Sequence, residues 1–192
     1  MTTKKSTKTN LINGPTILTL ARIVLVLPLM ICFFVNNLPG QIATLLCFVV
    51  ASITDFIDGR WARSKKIVTD LGAFLDPLAD KMLVNLTFLM LTYVGIVPLW
   101  MFAIILVRDF AVDGMRMMAA KSGITVSASI FGKAKTMLQM ITLTSILFNR
   151  MLNCEILTNI NFALLIAVVA LTIFSGSDYL IDGYKKLIKP KD

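Results

Sequence analysis

There is no histidine among the 192 residues, and the 11 acidic residues include a single glutamate, Glu155. The first absence excludes Ser-His-Asp triads, histidine metal ligands and imidazole general bases. Acid–base work falls to Asp, Lys, Tyr or Glu155, so the carboxylates look placed rather than scattered. Cysteine is scarce too. Cys32, Cys47 and Cys154 are odd in number, widely spaced and set among apolar residues, which argues against a disulfide framework or a thiolate metal site. Charge is the third shortage: charged residues make up 16% of the chain against 57% hydrophobic, with a mean hydropathy of +0.81. That is too apolar for an ordinary soluble domain.

What is present is a series of long apolar runs. The length accommodates six membrane helices of about 20 residues each with short loops, and no separate soluble domain fits in the remainder. The fold class read from this is an all-α integral membrane protein with six transmembrane helices, at about 17–35, 41–60, 71–93, 98–120, 133–152 and 158–180. They form one domain over 14–184, between a polar tail over 1–13 and a basic tail over 185–192. The first run is too long for a signal peptide, and no small-x-small cleavage site follows it. Asn36-Asn-Leu-Pro-Gly40, a basic loop over 61–70, Gly95 with Pro98, the segment from Lys121 to Gly132, and Asn153-Cys-Glu155 punctuate the runs.

The net charge of +8 could suit nucleic acid, but its distribution does not. Basic residues gather at Lys4, Lys5 and Lys8; at Arg60, Arg63, Lys65 and Lys66; at Arg116, Lys121, Lys133 and Lys135; and at Lys185, Lys186, Lys189 and Lys191. Arg150 stands alone on the opposite side, while Arg22, Lys81 and Arg108 fall within helices. By the positive-inside rule both termini are expected in the cytoplasm. The tail lysines then orient the chain and touch anionic lipid.

Four aspartates interrupt this apolar sequence in Asp55-Phe-Ile-Asp58-Gly59-Arg60-Trp61-Ala62-Arg63 and, after eight intervening residues, Gly72-Ala-Phe-Leu-Asp76-Pro-Leu-Ala-Asp80. An acidic side chain at the bilayer centre costs roughly 2.5–3.5 kcal/mol, so four so close together need an offsetting charge. Asp55 and Asp58 are i,i+3, and Asp76 and Asp80 are i,i+4, so each pair projects from one helix face. Two such faces turned together make an all-oxygen cage for a hard divalent cation, Mg²⁺ or Mn²⁺, which keeps waters and substrate phosphates in its remaining positions. Gly59 and Gly72 remove side chains where a ligand must come close. Ala62 does much the same, and Arg63 offers a planar donor fork. Pro77 would distort the start of the third helix and open room for substrate. Metal and arginine around a diphosphate describe substitution at phosphorus. On the positive-inside topology these groups lie toward the cytoplasmic ends of helices two and three, within reach of a soluble co-substrate.

The pattern D-x2-D-G-x2-A-R-x8-G-x3-D-x3-D, met at every position from Asp55 to Asp80, resembles the signature of the CDP-alcohol phosphotransferases. The resemblance implies a six-helix membrane fold, usually homodimeric, with a two-metal site of Mg²⁺ or Mn²⁺. The reaction it implies moves a phosphatidyl or phosphoalcohol group from a CDP-linked donor to an alcohol, with CMP released. Carried over position by position, Asp55, Asp58 and Asp76 would bind metal and the CDP diphosphate. Asp80 would ligate metal and act as general base. Gly59, Ala62, Arg63 and Gly72 would line the nucleotide pocket.

Further segments resemble the branch of that family that makes phosphatidylglycerophosphate from CDP-diacylglycerol and sn-glycerol 3-phosphate. They are Leu18-Thr-Leu-Ala-Arg22, Asp76-Pro-Leu-Ala-Asp80-Lys81, Arg108-Asp-Phe-Ala-Val-Asp-Gly-Met-Arg116, Gly132-Lys-Ala-Lys135-Thr136-Met-Leu-Gln139 and Ser175-Gly-Ser-Asp-Tyr179. Asn13-Gly-Pro-Thr16, Asp109 and Asp113 depart from the branch's usual residues. An anionic acceptor agrees with the charges: Arg108, Arg116, Lys133 and Lys135 are the candidate acceptor-phosphate ligands.

Plainer readings stand beside these. The four aspartates could pair with Arg60, Arg63 and Lys81, and Arg22 could bind substrate phosphate or snorkel to headgroups. For Asp109 and Asp113, salt bridging with Arg108 and Arg116 is preferred over direct chemistry. Asp70, Asp178 and Asp182 read as solvated or capping residues. Another acceptor (inositol phosphate, serine or a lipid) would use the same chemistry. A cation transporter is the reading from another class, but it has no need of Gly59, Ala62, Arg63 and Gly72 at these spacings. A non-catalytic membrane scaffold leaves the metal cage unexplained.

Overall fold

The computed structural model describes the backbone over 14–65, 70–121 and 130–188, and side chains over 24–54, 81–119 and 130–181. Among these residues there are six α-helices and no strand: α1 (Gly14–Phe34), α2 (Leu38–Lys65), α3 (Asp70–Tyr93), α4 (Leu99–Lys121), α5 (Ile130–Leu152) and α6 (Glu155–Ile188). The number and order match the apolar runs.

The helix ends differ from the expected ones for local reasons. The turn at Asn36–Gly40 is shorter than expected because Asn37 caps α2, its Oδ1 accepting from the Gly40 N–H at 2.8 Å. Pro39 falls in the first turn, where its missing N–H costs nothing. At the other end α2 continues to Lys65, so the expected basic loop begins as helix; Trp61-Ala-Arg-Ser-Lys65 contains no Gly or Pro to stop it. Helix α6 extends past the expected 180 to Ile188, taking in Lys185 and Lys186 of the expected tail. Gly132, expected in a loop, lies in the first turn of α5.

The short connections are fastened by backbone geometry. Gly95, with φ of 77°, ends α3. Its N–H bonds the Thr92 carbonyl at 3.0 Å and the Ile96 N–H bonds Leu91 at 2.9 Å, the paired bonds of a Schellman cap. Asn153, with φ of 50°, ends α5, its N–H bonding the Asn149 carbonyl at 2.8 Å. The Asn149 side chain accepts from the Cys154 N–H at 3.0 Å and donates to Thr158 Oγ1 at 2.8 Å, tying the start of α6 to the end of α5.

Two compact units make up the chain, Met1–Leu83 and Val84–Asp192. In the first, α1 packs on α2. Val26, Leu29 and Phe33 of α1 and Thr44, Phe48 and Ala51 of α2 are buried at helical spacing. In the second, α6 packs on both α4 and α5. Its buried face runs Asn161, Leu165, Val168, Thr172, Ser175 and Tyr179, and Phe131 of α5 meets Phe174 edge to face at 5.1 Å.

This arrangement inverts the pattern of a water-soluble bundle. On α6 the polar Asn161, Thr172 and Ser175 are buried, whereas Ile156, Ile166, Ile173, Phe174 and Ile181 are exposed. Val107 and Phe110 on α4 and Met137 on α5 are each 67% exposed, apolar surface that water would penalise and lipid would not. Among the described residues one segment, Glu155–Ile181, is long and apolar enough to cross a membrane, at a hydropathy of 2.3.

Candidate functional site

The helical backbone carries all four signature aspartates. Asp55 and Asp58, with Gly59, Ala62 and Arg63, fall in the last turns of α2; Gly72, Asp76 and Asp80 fall in the first half of α3. At about 100° per residue, Asp55 and Asp58 stand about 60° apart around α2, and Asp76 and Asp80 about 40° apart around α3. Each pair therefore shares a helix face, as its spacing requires. The side chains of these aspartates, and of Gly59, Ala62, Arg63 and Gly72, lie outside the described residues, as does Arg22. As a donor set, two pairs of carboxylates contribute oxygen alone, which fits a hard cation such as Mg²⁺ or Mn²⁺ and not a thiolate- or imidazole-seeking metal.

The basic residues of the second unit are described in full. Arg108 and Asp109 sit at mid-helix on α4, and Lys135 enters from the first turns of α5. Lys135 Nζ donates to Asp109 Oδ1 at 2.5 Å, and Arg108 Nη1 donates to the same oxygen at 3.1 Å. Lys135 is 2% exposed and Asp109 6%, so a single carboxylate joins two cations away from water. Arg108 is held from its other side by α6, where its Nη2 donates to Ser175 Oγ at 3.0 Å. Among the described residues its buried Nε has no partner.

The four candidate acceptor-phosphate residues thus separate into different settings. Arg108 and Lys135 are brought together through Asp109. Arg116, two turns along α4 from Arg108, is exposed; its Nε reaches Tyr179 Oη at 3.4 Å, with the guanidinium 5.7 Å from the ring centroid. Lys133 is exposed on the first turn of α5. The expected salt bridging of Asp109 is present with Arg108, and it extends to Lys135, which lies 26 residues away.

The sequence reading named Ser175-Gly-Ser-Asp-Tyr179 as a matching segment but gave Ser175, Gly176 and Tyr179 of α6 no part in the site. A signal was available, since a Ser-Gly-Ser-Asp-Tyr segment interrupts an otherwise apolar helix and puts Ser175 and Tyr179 at i,i+4. Gln139 is another residue the charge-based reading passed over. It lies one turn beyond Lys135 on the buried face of α5, 2% exposed, with no partner for Nε2 among the described residues.

Known proteins match the chain over most of its length. The CDP-diacylglycerol–glycerol-3-phosphate 3-phosphatidyltransferase of Bacillus subtilis (strain 168) is 36% identical over 189 residues, covering 91% of this chain and 97% of that protein. The protein of the same description from Rickettsia bellii (strain RML369-C) is 37% identical over 168 residues, covering 87% and 93%. CDP-diacylglycerol–glycerol-3-phosphate 3-phosphatidyltransferase 2 of Arabidopsis thaliana is 35% identical over 190 residues, covering 91% and 81%. The sequence profile described as CDP-alcohol phosphatidyltransferase matches residues 12–174, taking in the complete aspartate signature and the Arg108–Asp109–Lys135 cluster. The chain belongs to the CDP-alcohol phosphatidyltransferase family.

Proposed function

We propose that the protein transfers the phosphatidyl group of CDP-diacylglycerol to sn-glycerol 3-phosphate, giving phosphatidylglycerophosphate and CMP. The observation that carries this is the match to relatives of that activity along nine-tenths of the chain, with every signature position from Asp55 to Asp80 intact.

The chemistry follows from the residues. Asp55, Asp58, Asp76 and Asp80 would hold the divalent cations, and Asp55, Asp58 and Asp76 would bind the CDP diphosphate with them. Gly59, Ala62 and Gly72 leave room for the nucleotide, and Arg63 donates to a diphosphate oxygen. A bound Mg²⁺ or Mn²⁺ pair supplies neutralisation of charge on the transferring and leaving oxygens. With no histidine in the chain, Asp80 takes the proton of the acceptor's primary hydroxyl. That oxygen forms its bond to the β-phosphorus of the donor as the bond to CMP breaks, and CMP leaves. Arg108, Arg116, Lys133 and Lys135 supply the positive charge that selects a phosphorylated acceptor over a neutral alcohol.

The same reading places the whole of 14–184 in the cytoplasmic membrane as six spans of a homodimer subunit. The lysine- and arginine-rich segments, both termini and the aspartates face the cytoplasm, where glycerol 3-phosphate is soluble. The apolar exposed faces of α4, α5 and α6 support lipid as the solvent.

The test is CMP release by purified protein in detergent with CDP-diacylglycerol and Mg²⁺ or Mn²⁺. Glycerol 3-phosphate is compared with inositol phosphate, serine and phosphatidylglycerol. Release with glycerol 3-phosphate alone is expected. Release only with another acceptor would keep the aspartate chemistry and reject the assigned acceptor. Cation flux without any CDP compound, in folded protein that releases no CMP, would favour transport.

A further inference from the structure

The seat of Arg108 is more specific than an ion pair needs. Asp109 satisfies one terminal nitrogen, yet α6 is also shaped around the side chain. A Cβ at Gly176 would stand 2.7 Å from Arg108 Cγ, 3.5 Å from Nε and 3.7 Å from Cδ. Glycine at this place therefore makes the space in which the arginine stem lies. One residue earlier, Ser175 is fully buried and accepts from Arg108 Nη2 at 3.0 Å, while its own hydroxyl contacts the Thr172 carbonyl at 3.3 Å. The stem is confined by Gly176 and the guanidinium is held at both terminal nitrogens. Nε remains buried, with no partner among the described residues.

A planar guanidinium held at two nitrogens has donors left over in a fixed direction, the arrangement suited to an oxyanion. A buried Nε calls for an acceptor, and an oxyanion is the complementary kind. We propose that Ser175 and Gly176 are positioning residues which aim Arg108 at the phosphate of the acceptor, so that α6 sets acceptor affinity without touching the reacting atoms. This rests on the acceptor assignment made above and adds to it the part played by α6.

The test uses the full-length enzyme in detergent, with KM for glycerol 3-phosphate, KM for CDP-diacylglycerol and kcat measured separately. Gly176→Ala adds one methyl group and removes no charge or hydrogen bond. It is expected to raise KM for glycerol 3-phosphate about tenfold, leaving kcat and the donor KM within about twofold. In an Arg108→Ala background, where no Cγ remains to be displaced, the same methyl is expected to add less than about twofold. Ser175→Ala removes the hydroxyl without adding volume, and an acceptor KM raised about threefold or more is expected. It decides the matter if Gly176→Ala does not fold or Arg108→Ala has no measurable turnover. An unchanged acceptor KM in both single variants, or donor and acceptor KM rising together, overturns the proposal while leaving the enzyme's assignment standing. A folded wild-type protein that uses some other acceptor overturns the acceptor assignment, and this proposal with it.

Discussion

Lys135 and Asp109 meet at 2.5 Å from two different helices, α5 and α4, with both side chains buried. Because Arg108 uses the same carboxylate oxygen at 3.1 Å, the three residues form a unit with one anion at its centre. The two sides of the pair are therefore unequal. Removing Lys135 leaves Asp109 still paired with Arg108; removing Asp109 takes an ion-pair partner from both cations at once.

Asp109→Ala is accordingly expected to destabilise the protein more than Lys135→Ala. Breaking a buried pair by deleting one partner costs about 3–5 kcal/mol, and Asp109→Ala should lie at or above that range. Thermal unfolding in detergent measures the difference. Equal losses, or a larger loss for Lys135→Ala, would show that Asp109 is not the centre of the cluster.

Asp80→Asn keeps the size of the side chain and removes its ability to accept a proton. Turnover should fall at least about 10²–10⁴-fold, the usual contribution of a general base, while the variant still binds CDP-diacylglycerol in an equilibrium assay. Substantial turnover by this variant would remove Asp80 from the role of base.

Chelation of divalent cations should abolish CMP release, with activity restored by Mg²⁺ or Mn²⁺. An all-carboxylate donor set has little preference for softer metals, so added thiol-seeking metals should not rescue it. Undiminished activity after exhaustive chelation would contradict the oxygen cage.

The α1–α2 turn offers a test in the first unit. A Cβ at Gly40 would lie 2.3 Å from the Val35 carbonyl oxygen and 2.9 Å from Val35 Cβ, so Gly40→Ala forces the backbone to move. Asn37→Ala only removes a helix cap, worth about 1 kcal/mol. Gly40→Ala should lower the unfolding temperature further than Asn37→Ala. The reverse order would mean that the turn relaxes freely.

The sequence by itself determined the helix count and the family. Apolar runs of membrane length report helices because a backbone in lipid must satisfy its own hydrogen bonds. The aspartate signature was legible because i,i+3 and i,i+4 spacing is a local property, and the helical backbone at Asp55–Asp58 and Asp76–Asp80 retains it. Helix ends were less legible: a cap such as Asn37 on Gly40, or the continuation of α6 through Lys185 and Lys186, depends on bonds and breakers that hydropathy does not register. The candidate acceptor residues were recognised as cations, but not as differently placed ones. Only the tertiary structure decided that Lys135 is buried against Asp109, that Arg116 lies exposed against Tyr179, and that Arg108 occupies the space left by Gly176. Each of those relationships joins residues between 26 and 68 positions apart. Charge and local spacing carry no record of such distances; they are set when α4 and α5 pack on α6.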